Sequence, residues 1–297
     1  MKTSRMFAAV LSAWLAATGL VLAAGAENFG ADGGIVDTAF VEAAIKRGAI
    51  VWDTRGEPEY RAGHIPGAVS VGQVLALRGP DNENIALDRL VKILGDAGID
   101  PSKEIVLYGP RAGTGGYFAK VNLEVLGAKN VRVYHGGWQD WTAAGKPVAT
   151  EPTKLPPVML KSAFTPGIVI MTKDIVDNIG KPGVQILDAR TIEEYTGKEI
   201  RASRGGHVPG AINIPYEMNL VGDRADGALK TRAALELLYA KLDRNKETIV
   251  YCQSSVRASE TAIVLRDLGF TNVKVYYSSW MGYGNNPNTP VEGETKR

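Results

Sequence analysis

Residues 247–269 read ETIVYCQSSVRASETAIVLRDLG, and this stretch decides the fold of the second half of the chain. Residues 248–251 form a short β-branched and aromatic run that is typical of a buried strand. From residue 258 to 268 apolar residues recur at three- and four-residue spacing, and Gly269 follows where a helix would be closed. A short loop that starts at Cys252 therefore joins the end of a strand to the start of a helix.

The same order of signals occurs earlier in the chain. Tyr108 and Tyr251 end matching strand-like runs and lie 143 positions apart, while Trp138 and Trp280 lie 142 apart. The halves thus differ by one residue in or near the segment that follows the tyrosine. Self-similarity of this kind indicates a duplicated unit.

Each half alternates strand-like runs with a helical stretch. Buried strands are predicted at residues 49–52, 105–108 and 131–134, and again at 184–187, 248–251 and 273–277; helices are predicted at 117–126 and 258–268. Strand, helix, strand in each half predicts an α/β fold with a parallel sheet covered by helices on both faces. The proline-rich residues 150–165 are the predicted linker between domains at 27–149 and 166–297.

The first 26 residues are typical of a secretory signal peptide. Lys2 and Arg5 precede an apolar stretch, and residues 24–26, Ala-Gly-Ala, form a small-residue cleavage pattern. The alternative is a retained anchor, since about 18 apolar residues can just span a bilayer. Cleavage is favoured, which predicts a periplasmic or secreted protein without stable membrane association.

Composition excludes some classes of partner. At 297 residues, 45% hydrophobic and 22% charged, the chain is an ordinary globular protein. Removal of Lys2 and Arg5 lowers the basic count from 34 to 32, which equals the 32 acidic residues. A neutral mature protein favours neither nucleic acid nor an anionic membrane as partner. One cysteine cannot form an internal disulfide.

Cys252 lies where backbone chemistry favours a thiolate. The amides of a strand-to-helix turn converge on one point, with the positive end of the helix dipole behind them. A cysteine there is stabilised as a nucleophile, and Arg257 adds a full positive charge. The competing interpretation is a buried, inert cysteine with Arg257 on the surface. Position favours the reactive one, because ligands bind at the carboxyl ends of parallel strands.

Further motifs carry a family resemblance. Residues 53–55 (DTR) with 63–68 (GHIPGA), and residues 188–190 (DAR) with 206–211 (GHVPGA), accompany the six-residue loop that begins at Cys252. In this combination the chain resembles the tandem-domain rhodanese family, which includes thiosulfate and 3-mercaptopyruvate sulfurtransferases. The resemblance covers nearly all of the mature chain and implies two tandem rhodanese-like domains.

The resemblance implies a ping-pong sulfur transfer. Cys252 would take a sulfane sulfur from thiosulfate, release sulfite, and pass the persulfide sulfur to cyanide, a thiol or a protein acceptor. Neither a metal nor an organic cofactor is implied. The residues expected to cradle the substrate with their amides are Gln253, Ser254, Ser255, Val256 and Arg257.

The first domain lacks the nucleophile. Gly109 stands where the thiol would be, and Pro110 removes one amide from any cradle. As in the family, domain one is therefore expected to be catalytically inactive and to form a wall of the cleft. Arg111 is the candidate in this domain for reaching the substrate.

Other residues recur in both halves, and recurrence in the half without a thiol favours a structural role for them. His64 and His207 precede the same kind of turn, one in each half. Asp53 corresponds to Asp188 but lies in the half that has no thiol whose ionisation it could influence. Trp138 and Trp280 are expected to pack the core. Asp188 and Arg190 are candidates for a supporting role in the site, with a structural role as the favoured alternative. Arg201 and Arg204, in an insertion specific to domain two, are candidates for binding the donor anion, with a solvated loop as the favoured alternative.

Three alternatives compete with thiosulfate sulfurtransferase activity. A mercaptopyruvate enzyme of the family typically has a glycine-rich loop, which this chain lacks. A cysteine phosphatase needs five residues between Cys and Arg, whereas Cys252 and Arg257 enclose four. A persulfide carrier or binding protein without turnover is the third.

Overall fold

The computed structural model describes residues 33–79, 85–222 and 227–296. The predicted signal peptide lies outside these residues, so export stays a prediction. Within the described ranges no helix is both long and apolar enough to cross a membrane.

In its described residues, 33–79 and 85–144, domain one contains five strands and five helices. The strands are β1 (Ile35–Val36), β2 (Ile50–Asp53), β3 (Val69–Ser70), β4 (Ile105–Tyr108) and β5 (Val131–Tyr134). The helices are α1 (Thr38–Lys46), α2 (Glu57–Ala62), α3 (Leu87–Asp96), α4 (Gly115–Val125) and α5 (Gly137–Ala143), with a 3-10 turn at Val74–Leu77.

Domain two repeats this order with additions. Its strands are β6 (Val169–Ile170), β7 (Val184–Asp188), β8 (Arg204–His207), β9 (Ile212–Asn213), β10 (Leu220–Val221), β11 (Ala228–Leu229), β12 (Glu247–Tyr251), β13 (Val273–Tyr276) and β14 (Glu292–Lys296). Its helices are α6 (Thr172–Asn178), α7 (Ile192–Tyr195), α8 (Arg232–Leu238), α9 (Val256–Asp267) and α10 (Ser279–Tyr283), with a 3-10 turn at Tyr216–Asn219.

The two main sheets have the same topology. Strand order is β1-β5-β4-β2-β3 in domain one and β6-β13-β12-β7-β9 in domain two, and all of these pairings are parallel. Successive side chains of β12 face opposite cores: Val250 belongs to one apolar cluster, Ile249 and Tyr251 to another. Since both faces are buried under helices, the predicted α/β fold with covered parallel sheets is confirmed.

The domains pack through the helices that follow their central strands. Helices α4 and α9 contact each other, and one apolar cluster runs through both domains. Asp267, at the end of α9, accepts hydrogen bonds from the amides of Gly34 (2.7 Å) and Ile35 (3.0 Å) at the start of β1. Arg266 binds Glu124 of α4 at 2.7 Å. This contact holds the carboxyl-terminal ends of α4 and α9 beside each other.

The helix after Cys252 begins earlier than the sequence predicts. Apolar spacing places its start at about Ala258, whereas α9 begins at Val256. The left-handed backbone of Ser255, with φ 60°, turns the chain directly into the helix. Arg257 is consequently a residue of the first helical turn, and its side chain direction is fixed by the helix.

Candidate active site

The strand-to-helix turn places Cys252 inside the protein. The residue follows β12 at the carboxyl end of the sheet and is 1% exposed. The Oγ of Ser279 accepts hydrogen bonds from the amides of Cys252 (3.2 Å) and Ser255 (3.0 Å), and donates to the carbonyl of Tyr276 (2.9 Å). One hydroxyl therefore ties both ends of the loop to the neighbouring strand.

The loop leaves several backbone donors for a ligand. The amide of Ser255 is held by Ser279, and that of Val256 donates to the carbonyl of Ser254 at 2.9 Å. In the part of the chain that the structure describes, the amides of Gln253, Ser254 and Arg257 donate to no protein acceptor. Of the five amides in the predicted cradle, two are thus engaged within the protein, and an anion at the sulfur would use the others.

Arg257 is held by a buried carboxylate. It donates to both oxygens of Glu194, at 2.6 and 2.8 Å, and Glu194 is 1% exposed. Burial alone would raise the pKa of Glu194, but hydrogen bonds and charge from Arg257 outweigh it and lower that pKa. Burial likewise opposes the charge on Arg257, yet Glu194 and the Cys252 sulfur raise its pKa. The guanidinium that interacts electrostatically with the thiol is therefore fixed in position by Glu194.

A second arginine reaches the loop from domain one. Arg78 follows the 3-10 turn of that domain, and its Nη2 donates to the carbonyl of Ser254 and to Oγ of Ser255, the latter at 2.9 Å. Its guanidinium lies 5.4 Å from the ring centroids of both Phe118 and Tyr277. These contacts join the two domains directly at the active-site loop.

The charge of Arg78 acts on the same sulfur. Burial lowers the pKa of Arg78, while interactions with Tyr277 and Cys252 raise it in part. A guanidinium stays protonated in proteins even when buried. Cys252 therefore lies in the field of two arginines, one from each domain.

The aspartate and arginine motif lies beneath the loop. Asp188 and Arg190 form an ion pair with an N–O distance of 2.6 Å, at side-chain exposures of 0% and 1%. Arg190 also donates to the carbonyl of Gly206 at 2.7 Å. Asp53 and Arg55 make the same pair at 2.6 Å in domain one. The recurrence favours a structural role, because domain one has no thiol.

Arg201 and Arg204, the basic residues of the insertion, have different surroundings in the structure. Arg201 is 48% exposed, forms an ion pair with Glu194 at 3.2 Å, and accepts at its carbonyl a hydrogen bond from Gln253 (2.9 Å). Arg204 instead points away from the loop and donates to the carbonyl (3.0 Å) and hydroxyl (2.6 Å) of Thr289. Arg201 borders the site, whereas Arg204 anchors the carboxyl-terminal segment.

A profile of the rhodanese-like domain matches this chain twice, at residues 37–144 and 171–286. The chain belongs to the rhodanese family. A protein of Azotobacter vinelandii, named thiosulfate sulfurtransferase, is 31% identical over 253 residues that cover 82% of this chain and 90% of the relative. A Mycobacterium leprae protein, provisionally given the same name, is 32% identical over 246 residues, 78% of this chain and 87% of its own length.

Solved structures agree in fold. The anaerobic ergothioneine biosynthesis enzyme from Chlorobium limicola superposes with a TM-score of 0.77 at 24% identity, over 87% of this chain and 70% of that enzyme. At this identity the likeness establishes the shared architecture of the two rhodanese domains. It carries no statement about substrate.

In the first rhodanese domain the loop keeps its shape without its thiol. Ala112 has φ 58°, as Ser255 has φ 60° in domain two. A Cβ at Gly109 would lie 3.0 Å from Oγ1 of Thr54, and the residue that corresponds to Thr54 in domain two is Ala189. The threonine hydroxyl therefore occupies space that the cysteine side chain needs.

The residue of domain one that reaches the catalytic loop differs from the predicted one. Arg111, the sequence candidate, pairs with Asp140 of its own domain. Arg78 makes the contact instead. Nothing in the local sequence around Arg78 indicates this, because the contact joins residues 177 positions apart. The buried position of Glu194 was likewise missed, since an acidic residue at the start of α7 is typical of an exposed helix end.

The role of Ser279 in holding the loop was not predicted from the sequence, although a difference between the two repeats indicates it. Residues 277–280 read YSSW in domain two, and the corresponding residues 135–138 read HGGW. Gly137 and Ser279 share a left-handed backbone, with φ 56° and 53°. A serine in that conformation is unusual, and it occurs only in the half that has the thiol, where its hydroxyl holds the loop.

Proposed function

We propose that this rhodanese is a thiosulfate sulfurtransferase that carries the transferred sulfur as a persulfide on Cys252. The observation that supports the proposal best is the position of the chain's one thiol, in a loop with unengaged amides between Arg257 and Arg78. The names of the relatives from Azotobacter vinelandii and Mycobacterium leprae agree with it.

The proposed reaction has two balanced steps. The Cys252 thiolate attacks the outer sulfur of thiosulfate, a new S–S bond forms, and the S–S bond of thiosulfate breaks with its electron pair leaving on sulfite. A nucleophilic acceptor such as cyanide then attacks the terminal persulfide sulfur and leaves as thiocyanate, which restores the thiolate. Amides and guanidinium groups stabilise the negative charge carried by donor, persulfide and leaving sulfite.

Charge favours thiosulfate over 3-mercaptopyruvate as donor. Thiosulfate is a compact dianion, and the guanidinium groups of Arg257 and Arg78 both interact electrostatically with the sulfur that it must approach. Arg257 is balanced by Glu194, so Arg78 supplies charge from the other domain. Mercaptopyruvate presents a single carboxylate and a carbonyl. A persulfide carrier that hands its sulfur to a protein would use the same loop, and only turnover distinguishes it from an enzyme.

The proposal is tested with the purified mature protein. Incubation with thiosulfate is expected to release one sulfite per chain and to add the mass of one sulfur atom, and cyanide is then expected to yield thiocyanate over many turnovers. A sulfur adduct without turnover would indicate a carrier. If no adduct formed with thiosulfate but one formed with 3-mercaptopyruvate, the proposed donor would be wrong.

Arg78→Ala is expected to lower kcat/KM for thiosulfate by about tenfold or more, since a charge-assisted hydrogen bond contributes about 1.5–3 kcal/mol. The loss of the bonds to Ser254 and Ser255 loosens the loop, and the positive field at the sulfur weakens. Arg78→Lys should restore part of the activity. Steady-state kinetics with thiosulfate and cyanide measure both effects.

Arg111→Ala is the matched control for this substitution, since it removes a domain-one arginine that pairs with Asp140. Its kcat/KM is expected to equal that of the wild type. A purely structural role for Arg78 would be indicated if Arg78→Ala lowered only the melting temperature and left kcat/KM of the folded protein unchanged.

A further inference from the structure

Domain one contains a cavity at the position that corresponds to the active site of domain two. Its volume is about 580 Å³, and its wall includes Thr54, Glu59, Gln73, Thr114 and Trp138. The cavity opens beside the loop in which Gly109 replaces the cysteine. Because the two domains share their topology, each wall position can be compared with its counterpart.

One acidic side chain of the cavity wall, that of Glu59, has a counterpart in domain two. Glu59 corresponds to Glu194, since both lie six residues after the aspartate of the buried ion pair. The next residue in each half supports this register, because Tyr60 stacks on His64 at 4.0 Å and Tyr195 stacks on His207 at 3.7 Å between ring centroids.

The arginine that pairs with this carboxylate in domain two has no counterpart in domain one. Counted back from the glycines that close the helices, Gly127 and Gly269, the position of Arg257 is taken by Gly115. Glycine provides no guanidinium, and Gly115 itself lines the cavity. Domain one thus retains the carboxylate that holds the arginine in domain two, without the arginine.

Glu59 is left as the uncompensated charge of the cavity. No ion pair to Glu59 is formed by residues 33–79, 85–222 or 227–296. Arg55 also lines the wall, but its charge is balanced by Asp53 at 2.6 Å and its Nη2 donates to the carbonyl of Gly63 at 2.6 Å. The Oε2 of Glu59 lies close over Gly56, itself a cavity residue.

We propose that this cavity is a second binding site, separate from Cys252, which takes a guanidinium group. Glu59 would accept its N–H donors as Glu194 accepts those of Arg257, and the side-chain amides of Gln73 and Gln139 add polar groups to the wall. The group can belong to a small molecule or to an arginine side chain of a partner protein.

The site is tested by calorimetric titration of the full mature protein with agmatine, and with a short neutral peptide that contains one arginine. Saturable binding of either is expected, and Glu59→Gln should weaken it by about tenfold or more, as expected for loss of a charge-assisted hydrogen bond. Tight binding of the peptide with weak binding of agmatine would identify a protein as the source of the group.

Glu57→Gln is the matched control, because Glu57 lies on the same helix, is 46% exposed and pairs with Arg61 at 2.7 Å. This variant is expected to bind as the wild type does. Absence of binding to the wild type, or equal weakening by both substitutions, would overturn the proposal. Since Glu59 is exposed, its variant should fold normally, and equal melting temperatures verify this.

Discussion

Cys252→Ser is expected to reduce sulfur transfer from thiosulfate to cyanide by a factor of about 10³ or more, the scale seen when a catalytic nucleophile is removed. A serine hydroxyl is far less acidic than a thiol, and the amides and arginines that stabilise a thiolate cannot ionise it at neutral pH. Thiocyanate formation measures turnover, and the intact mass after incubation with thiosulfate measures the covalent step.

The single cysteine makes this experiment decisive. No other thiol of the chain can hold a persulfide, so the variant should show neither the added sulfur nor thiocyanate. The substitution is nearly isosteric at a residue that is 1% exposed, and the variant should therefore stay folded. A sulfur adduct that survived in Cys252→Ser would contradict the proposed mechanism, whatever the rate of turnover.

Much of the fold follows from local sequence patterns. The strands predicted at residues 105–108 and 131–134 coincide with β4 and β5, because short β-branched and aromatic runs bounded by polar or turn residues are typical of buried strands. The start of α9 did not follow. Its first turn, Val256 and Arg257, is entered from a left-handed serine, and a serine in that conformation has no sequence signature.

The pairing of β8 with β14 shows a different limit. These strands form an antiparallel sheet between residues 204–207 and 292–296, and neither strand was predicted. β8 contains two glycines and β14 is mostly charged, so neither has the apolar alternation that identifies a strand. Arg204 explains the arrangement, because its bonds to Thr289 hold the carboxyl-terminal segment against the insertion.

In the candidate site, too, contacts between residues that are close in sequence could be predicted, and contacts between distant residues could not. Cys252 and Arg257 lie close in sequence, one in the loop and the other in the first turn of α9, and their chemistry could be inferred from their order alone. Glu194 and Arg78 reach that loop from elements 63 and 177 residues away. Such contacts depend on how the domains pack, which a single sequence does not specify.

Asp188→Asn and Asp53→Asn are both expected to lower the free energy of unfolding, each by about 3–5 kcal/mol, the usual cost of removing one member of a buried ion pair. Each substitution leaves an arginine with a side-chain exposure below 10% facing a neutral amide. In domain one the aspartate also accepts a hydrogen bond from Tyr108 at 2.6 Å. Urea denaturation followed by tryptophan fluorescence measures the change.

The comparison between the two variants separates structure from catalysis, because Asp53 has no thiol above it while Asp188 does. Similar losses of stability would mean that the motif supports the end of a central strand in each domain, whether or not a nucleophile follows. If Asp188→Asn kept full stability and lowered turnover, Asp188 would instead act on the thiolate. The buried geometry favours the first result, since Arg190 lies 4.3 Å from the ring of Trp280, within the core.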